Sequence, residues 1–188
     1  DIQGWIQYEY SNPPDMGFTT NDIRKFRLEY LAEDFVVKLG DIYEFWGRGL
    51  VLNQFDDQVT NFDNGTRGLY IEYNKYPFSF SHLNGNSNIW MLGGGARIPE
   101  NNNIHNMSAN RLNYDLNAFS LGVTQLRTNE NHSLNSGPPV DINHNIRGTY
   151  LSWVGDFADI FLEYADKIST SKISNFGGIP NDTLKRGY

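Results

Sequence analysis

The sequence has no cysteine among its 188 residues. This absence excludes disulfide bonds, thiolate zinc sites, iron–sulfur clusters and a cysteine nucleophile. It also has no run of about 18 apolar residues, the length that a membrane-spanning helix needs. The second absence excludes a helical membrane protein but not a membrane β-barrel, because the lumen and loops of a barrel are polar.

Positive charge is scarce as well. The chain carries 15 Lys and Arg residues against 22 Asp and Glu residues, which gives a formal net charge of -7. A wide basic surface for nucleic acid or for anionic lipid headgroups is therefore not expected. We predict no nucleic-acid partner.

The abundant residues favour strands over helices. Aromatic residues make up 14% of the chain, Gly occurs 18 times, and Asn is the commonest residue. Aromatic side chains suit the pleated surface of a sheet, whereas Asn and Gly disfavour helices and accept turn conformations. No stretch shows helical periodicity, so the sequence predicts an all-β chain.

Alternation of apolar and polar residues locates the predicted strands. Phe26, Leu28 and Tyr30 alternate with charged residues, and after a tight connection at 32–34 the pattern resumes at Phe35 and runs on to Trp46. Further predicted strands cover 69–74, 78–92, 116–127, 146–154 and 158–167. Within 78–92, the segment 84–86 is either a hairpin turn or a bulge inside one long strand. The prediction is eight or nine strands, most of about 8–11 residues.

The predicted connections alternate unevenly between short and long. Short turns are expected at 32–34, 74–77 and 155–156, and long polar loops at 11–22, 47–66 and 128–145. The Asn-rich stretch 100–113 is also predicted to be a loop, and the glycine run 93–95 is predicted to close a strand. Short turns at one rim and long loops facing outward at the other are typical of outer-membrane barrels.

Two architectures fit this pattern. In a membrane barrel the apolar residues face lipid, and their charged neighbours face a wet lumen. A soluble β-sandwich with one solvated face shows the same alternation. The loop asymmetry favours an antiparallel up-and-down meander that is part of a transmembrane β-barrel in a bacterial outer membrane, with membrane lipid as its partner. We expect such a barrel to act as a passive pore, a transport channel or a surface-exposed scaffold. The alternative is a sandwich that binds carbohydrate through exposed aromatic residues, the candidates being Trp5, Trp46, Trp90 and Trp153.

Residues 1–188 are expected to form a single β-barrel segment. The chain starts at Asp1 without an initiator Met, and the sequence at 184–188 resembles the opening of a further strand. We therefore expect the chain to be a piece of a longer protein.

One stretch resembles a known family. Residues 38–50 read KLGDIYEFWGRGL, and Asp56 and then DNGTRG at 63–68 follow. This pattern is similar to the signature GD-x-Y-x-x-(F/W)-G-x-G-L, then D-N-x-x-R-G, of an uncharacterised, porin-like Bacteroidota family of large outer-membrane β-barrel proteins. The later GDF at 155–157 and the closing KRGY at 185–188 are similar too. The resemblance implies a barrel fold and an outer-membrane location, and it implies no chemistry.

Two sets of residues are candidates for a binding role. The first set consists of charged side chains that alternation places on the predicted lumen face, namely Lys38, Glu72 and Glu163. The second set is a glycine-rich motif expected to bend the chain at the barrel rim, namely Gly40, Asp41, Tyr43, Gly47, Arg48 and Gly49. We expect the lumen charges to tune solute selectivity.

No residue pattern predicts catalysis, a cofactor or a metal. Asp41 and Glu44 would lie on opposite faces of a strand, which makes them a poor acid–base pair. The four histidines, His82, His105, His132 and His144, are spread singly, as solvated loop residues are. Acidic loop residues could offer oxygen atoms to Ca²⁺, but the spacing of Asp56, Asp57, Asp63 and Glu100 matches no calcium loop.

Overall fold

The computed structural model describes residues 1–12, 20–57, 62–90, 102–132, 140–173 and 183–187. The strands in these ranges are β1 (Ile2–Ser11), β2 (Thr20–Leu31), β3 (Phe35–Ile42), β4 (Phe45–Trp46), β5 (Leu52–Asn53), β6 (Asp56–Asp57), β7 (Phe62–Asp63), β8 (Thr66–Lys75), β9 (Phe78–Trp90), β10 (Asn102–Leu116), β11 (Phe119–His132), β12 (Val140–Val154), β13 (Asp159–Ile173) and β14 (Thr183–Gly187). A helix suited to crossing a membrane is not found in these ranges.

The long strands form one antiparallel meander. The sheet has 10 strands in the order β1-β2-β3-β8-β9-β10-β11-β12-β13-β14, so each strand pairs with its neighbours in the chain apart from the insertion between β3 and β8. That insertion carries two small ribbons, β4–β5 and β6–β7. The predicted all-β up-and-down meander is confirmed, and the closing residues do form a strand, β14, paired with β13.

The two faces of the sheet differ in chemistry. Alternate side chains point to opposite faces, and on one face the apolar side chains are exposed, among them Leu39 (50%), Leu121 (48%) and Leu162 (62%). We call this the outer face, and we call the opposite face, which the β4–β7 region covers, the inner face. Contiguous exposed apolar surface on this scale requires a non-aqueous neighbour.

The sandwich alternative is not the observed architecture. A sandwich would bury these apolar residues between two stacked sheets. In the described part of the chain, the only other sheets are the two-stranded ribbons, and these lie against the inner face. Phe119, Leu121 and Val123, which were predicted to share one face, are all exposed on the outer face.

β9 lies within its predicted range, and β10 forms where a loop was predicted. β9 runs without a turn from Phe78 to Trp90, so the segment 84–86 is part of one long strand. The Asn-rich stretch 100–113 is not a loop, because β10 occupies Asn102–Leu116 and pairs with both neighbours. Ladder hydrogen bonds to two flanking strands outweigh the low strand preference of Asn.

The strands β11 and β12 also extend into the predicted loop 128–145. β11 continues to His132 and β12 begins at Val140, in register with each other. The hairpin after β12 falls at the predicted position, and Ile160, Leu162 and Tyr164 of β13 share the outer face. The glycine run 93–95 lies outside the described residues.

The strand β3 ends earlier than predicted. It stops at Ile42 instead of continuing to Trp46. Gly40 has a φ of 113°, and a Cβ there would lie 2.2 Å from the carbonyl oxygen of Phe26. This close backbone approach requires glycine, and just beyond it the chain leaves the sheet towards the inner face.

Candidate functional site: the inner face of the sheet

The chain between β3 and β8 folds over the inner face. We call residues 43–65 the inner segment, of which the structure describes 43–57 and 62–65. Within it, the backbone N–H of Gln54 donates to the carbonyl of Glu44 at 3.0 Å. The loop predicted at 47–66 therefore does not extend outward, because Val51 and Leu52 are buried against the sheet.

The inner segment and the inner face share one hydrophobic core. Trp46 is fully buried, and Val51 and Leu52 are 5% and 3% exposed. The sheet contributes Ile42, Tyr70, Leu83, Ala109 and Leu126 to the same cluster. Gly148 leaves space for Val51, since a Cβ at Gly148 would lie 2.4 Å from Val51 Cγ2. Each large side chain buried in this way contributes about 1.5–3 kcal/mol, so the inner segment is part of the folded core.

Lys38 binds the start of the inner segment. Its Nζ donates to Glu44 Oε1 at 2.8 Å and lies 4.7 Å from the centroid of the Tyr70 ring. The indole N–H of Trp46 donates to the other oxygen of Glu44 at 3.3 Å. Glu44 thus joins a strand lysine to the buried tryptophan of the inner segment.

Glu163 binds the same segment from the far side of the sheet. The backbone N–H of Arg48 donates to Glu163 Oε2 at 2.8 Å, and the Arg48 guanidinium lies 5.0 Å from the centroid of the Phe161 ring. Gly47 has a φ of 64°, and a Cβ there would lie 2.5 Å from Glu163 Oε1. The carboxylate therefore fits against a backbone turn that glycine permits.

Glu72 takes part in a third contact on this face. It accepts a hydrogen bond from the hydroxyl of Tyr70, and Arg111 Nη2 lies 4.0 Å from its Oε2. The Arg111 guanidinium also lies 5.2 Å from the centroid of the Trp46 ring. The three predicted lumen charges, Lys38, Glu72 and Glu163, are all on the inner face, where they contact the inner segment or residues that pack on it.

Lys25 holds the other end of the inner segment. Its Nζ lies 2.7 Å from a carboxylate oxygen of Asp56 and 2.7 Å from one of Asp63, and its side chain is 5% exposed. The Tyr43 hydroxyl donates to Asp63 at 3.1 Å. Burial raises the pKa of this hydroxyl to about 12, so Tyr43 is a neutral donor.

The contacts of Lys25 change the interpretation of the acidic residues. Asp56 and Asp63, considered as calcium ligands, come together around an ammonium group. Glu100 lies outside the described residues. Among the residues that the structure describes, no group of three or more His, Asp and Glu side chains could hold a metal ion.

The predicted rim motif is divided between two places. Tyr43, Gly47, Arg48 and Gly49 belong to the inner segment and lie over the inner face, so their placement at the rim is wrong. Gly40 and Asp41 belong to β3. The positive φ of Gly47 and of Gly49, 64° and 87°, does bend the chain, but it bends it into the interior.

Asp41 lies on the outer face, away from Glu44. It forms an ion pair with Arg67, whose Nε lies 3.0 Å from Asp41 Oδ1, and it accepts a hydrogen bond from the backbone N–H of Phe26 at 2.8 Å. The side chain of Asp41 thereby continues the pairing between β2 and β3 past the last backbone ladder contact. A cleft of about 400 Å³ lies beside it, between Arg24 and Asn88.

Two histidines are brought together. His105 Nδ1 lies 3.0 Å and His144 Nε2 3.2 Å from the same oxygen of Glu130. Both histidines lie in strands, so the prediction of solvated loop residues is wrong for them. Their separation in the sequence hides the pairing, which depends on the register of β10, β11 and β12.

Two of the four candidate tryptophans, Trp46 and Trp153, offer little to a sugar. Trp46 is fully buried and cannot stack on a ligand. Trp153 packs near the short turn between β12 and β13, with ring centroids 6.4 Å from Phe119 and 6.2 Å from Phe157. The side chain of Trp90 lies outside the described part of the structure.

Comparisons with protein-family models and with curated protein sequences give no match. The Bacteroidota family that the sequence resembles therefore remains a prediction.

Comparison with solved structures gives a likeness of fold. The chain is similar to OmpTdeltaL8, a loop deletion mutant of OmpT, an outer membrane protein of Vibrio cholerae, with a TM-score of 0.55 and 13% sequence identity. The match covers 90% of this chain and 59% of that chain, so this chain spans less than two thirds of the length of its structural neighbour. The chain has the antiparallel meander fold of an outer-membrane β-barrel.

Proposed function

We propose that the chain is part of an outer-membrane β-barrel that acts as a passive pore, and that the inner segment narrows its lumen. The observation that carries the proposal is the position of the inner segment, which lies across the inner face and is bound at both ends by charged side chains. Wide barrels leave an aqueous channel unless a segment occupies the lumen. A segment fixed in this way limits the size of a solute without closing the barrel.

The proposal includes no catalysis and no cofactor. The carboxylates nearest the inner segment are engaged with a lysine, with backbone N–H groups or with hydroxyl groups. A general acid or base must lie within hydrogen-bond distance of a substrate atom, and carboxylates that already bind protein groups are not available for such a contact. Membrane lipid is the partner proposed for the outer face, and nucleic acid is not proposed as a partner.

Planar-bilayer recording tests the proposal. The complete protein, purified in detergent and added to a lipid bilayer, is expected to give discrete conductance steps. In liposome-swelling assays, small sugars should enter and larger oligosaccharides should not. Recovery of the complete protein in the aqueous phase without detergent, or insertion without any conductance, would contradict the proposal.

A substitution in the inner segment makes the test specific. Trp46→Ala removes the largest buried side chain of the segment, and it should raise the conductance and admit larger sugars. Trp153→Ala is the matched control, since this ring lies beside the short turn and away from the inner segment. Equal solute cut-offs for the two variants would show that the inner segment does not set the pore size.

A further inference from the structure

The outer face of β9–β13 changes its chemistry along each strand. Close to the short turns, paired outer residues are apolar, as in the row Phe78, Tyr114, Leu121, Leu151 and Leu162. Farther from the turns the same face is mostly polar. One paired row there reads Asn84, Ser108, Arg127, Asn145 and Ile168, and the next reads Asn86, Asn106, Asn129, Asn143 and Thr170.

These polar rows line a groove. A cavity of about 590 Å³ lies over them and is bordered by residues of five consecutive strands. Asn129 Nδ2 donates to Asn143 Oδ1 at 2.8 Å across two of the strands, which fixes the orientation of both amides. Asn84, Asn86 and Asn106 are exposed.

The groove has the hydrogen-bonding chemistry of a site for hydroxyl groups. Each Asn side chain has both an acceptor oxygen and an NH₂ donor, and a hydroxyl group also both donates and accepts. Among the described residues that line the groove, Arg127 alone carries a permanent charge, so the site suits a neutral, hydroxyl-rich chain. Asn is also depleted in strands, so strand formation does not account for rows of Asn.

The position of the groove on the outer face indicates which kind of molecule would present hydroxyl groups to it. The groove lies on the same five strands as the apolar part of the outer face, on the side away from the short turns. One polar paired row separates the two parts, namely His82, Asn110, Gln125, Arg147 and Asp166. A molecule with acyl chains against Leu121 and Leu151 would place its headgroup at the polar rows. An amphiphile with a sugar headgroup satisfies both surfaces.

We propose that this groove binds the sugar chain of an outer-leaflet glycolipid whose acyl chains lie on the apolar part of the same face. The inference rests on the proposed function to the extent that the chain must sit in an outer membrane. It does not depend on the inner segment, which lies on the opposite face.

Three probes separate the sources of binding: intact lipopolysaccharide, lipid A from which the sugar chain has been removed, and the released sugar chain in solution. The complete protein in detergent is titrated with each probe. Intact lipopolysaccharide should bind most tightly. Equal affinity for lipid A would overturn the proposal, and equal affinity of the free sugar chain would replace it with a site for soluble oligosaccharide.

Variants connect the binding to the groove. The double variant Asn129→Ala with Asn143→Ala removes the oriented amide pair and should weaken binding of intact lipopolysaccharide about tenfold, the effect of losing two hydrogen bonds, with lipid A unaffected. Asn74→Ala, beside a short turn, should leave both affinities unchanged. If the double variant does not fold, the exposed substitution Asn106→Ser carries the test. An unchanged affinity in the folded variant would overturn the proposal.

Two further measurements distinguish the groove from a dimer contact and from the pore. Ser108→Cys, placed in the groove, should give no disulfide-linked dimer in oxidised membranes, and a dimer would assign the groove to a second copy of the chain. Conductance of the Asn129 and Asn143 double variant should equal that of the unmodified protein. If the double variant no longer binds intact lipopolysaccharide more tightly than lipid A but conducts normally, the groove acts independently of the pore. If the unmodified protein gives no conductance, the result contradicts the proposed pore and leaves the proposed groove untouched.

Discussion

The backbone N–H of Arg48 donates a 2.8 Å hydrogen bond to the carboxylate of Glu163, 115 residues away in the sequence. Arg48 follows closely on the end of β3 at Ile42, and an extended chain of that length reaches about 20 Å. Glu163 lies on β13, which in a flat sheet would be about 29 Å from β3 at the usual strand spacing. The contact therefore requires a sheet that curls around the inner segment, as a barrel wall does.

Replacing Glu163 tests this contact. Glu163→Gln keeps the shape of the side chain but removes its charge, so the Arg48 N–H donates to a weaker acceptor. We expect the free energy of unfolding to fall by about 1–3 kcal/mol and the open-channel current to become noisier as the inner segment loosens. Denaturant titration in lipid vesicles and bilayer recording measure the two effects.

Glu29→Gln is the matched control for that change. Glu29 also lies on the inner face, and its carboxylate pairs with Arg27 at 2.8 Å on the same strand instead of with the inner segment. The current of this variant should stay as quiet as that of the unmodified protein. If both variants gave equally noisy currents, the noise would result from any loss of charge on the inner face and not from the contact between Glu163 and Arg48.

Gly47 provides a test of the backbone at the same place. Gly47→Ala puts a side chain at a φ of 64° and within 2.5 Å of Glu163 Oε1. A left-handed conformation costs a non-glycine residue about 1–2 kcal/mol, and we expect a loss of unfolding free energy of at least that size. Gly4→Ala, where the new Cβ would meet its neighbours at 3.4 Å, should leave stability unchanged, and equal losses would contradict the role of Gly47.

The strands near the short turns were predictable because their alternation has a local cause. Leu121 and Val123 face outward since a period of two puts them on one face, and their contrast with polar neighbours is visible in the sequence. The far halves of β10 and β11 are mostly polar, and the apolar residues of this half of β10 do not share one face, since Ile104 is exposed on the outer face while Met107 and Ala109 pack in the core. Alternation therefore does not reveal these halves. Their strand structure comes from pairing with neighbours distant in the sequence.

The inner segment was beyond prediction for a related reason. The prediction that its glycines bend the chain was correct, but the sequence of residues 43–65 does not indicate whether the chain turns along the rim or towards the inner face. The direction depends on Val51 meeting the space left by Gly148 and on Arg48 meeting Glu163. Both contacts join parts of the chain that only the completed sheet brings together.

Removing the ammonium of Lys25 should release the other end of the inner segment. Lys25→Met leaves Asp56 and Asp63 facing each other without a cation, and breaking a buried ion pair costs about 3 kcal/mol. Trypsin cleavage after Arg48 should become faster in vesicles, because the segment opens more often. Adding Asp63→Asn removes one of the opposing charges and should restore part of the protection, whereas equally fast cleavage in the double variant would indicate that charge repulsion is not the cause.

The outer face is tested by placing an arginine at two heights of one strand. Leu121→Arg puts a charge in the apolar part of the face, where it should cost about 2–4 kcal/mol near the centre of the membrane, against about 0–1 kcal/mol near its edge. Asn129→Arg is the control, on the same strand and the same face but in the polar rows. Unfolding from lipid vesicles compares the two, and equal costs would contradict a membrane boundary between them.

Tyr43 offers a test by pH. Burial raises the pKa of its hydroxyl from 10.0 to about 12, and the nearby Asp63 carboxylate acts in the same direction, against the hydrogen bond with Lys25. Folding thus favours the neutral phenol, so its contribution to stability is fully present below about pH 10 and is lost as the pH rises towards 12. The ultraviolet absorbance of tyrosinate, taken as the difference between the unmodified protein and Tyr43→Phe, should show a single titration with a midpoint near pH 12. A midpoint near 10, the value of a tyrosine model peptide in the same buffer, would mean that the Tyr43 hydroxyl is open to water and is not buried beside Lys25 and Asp63.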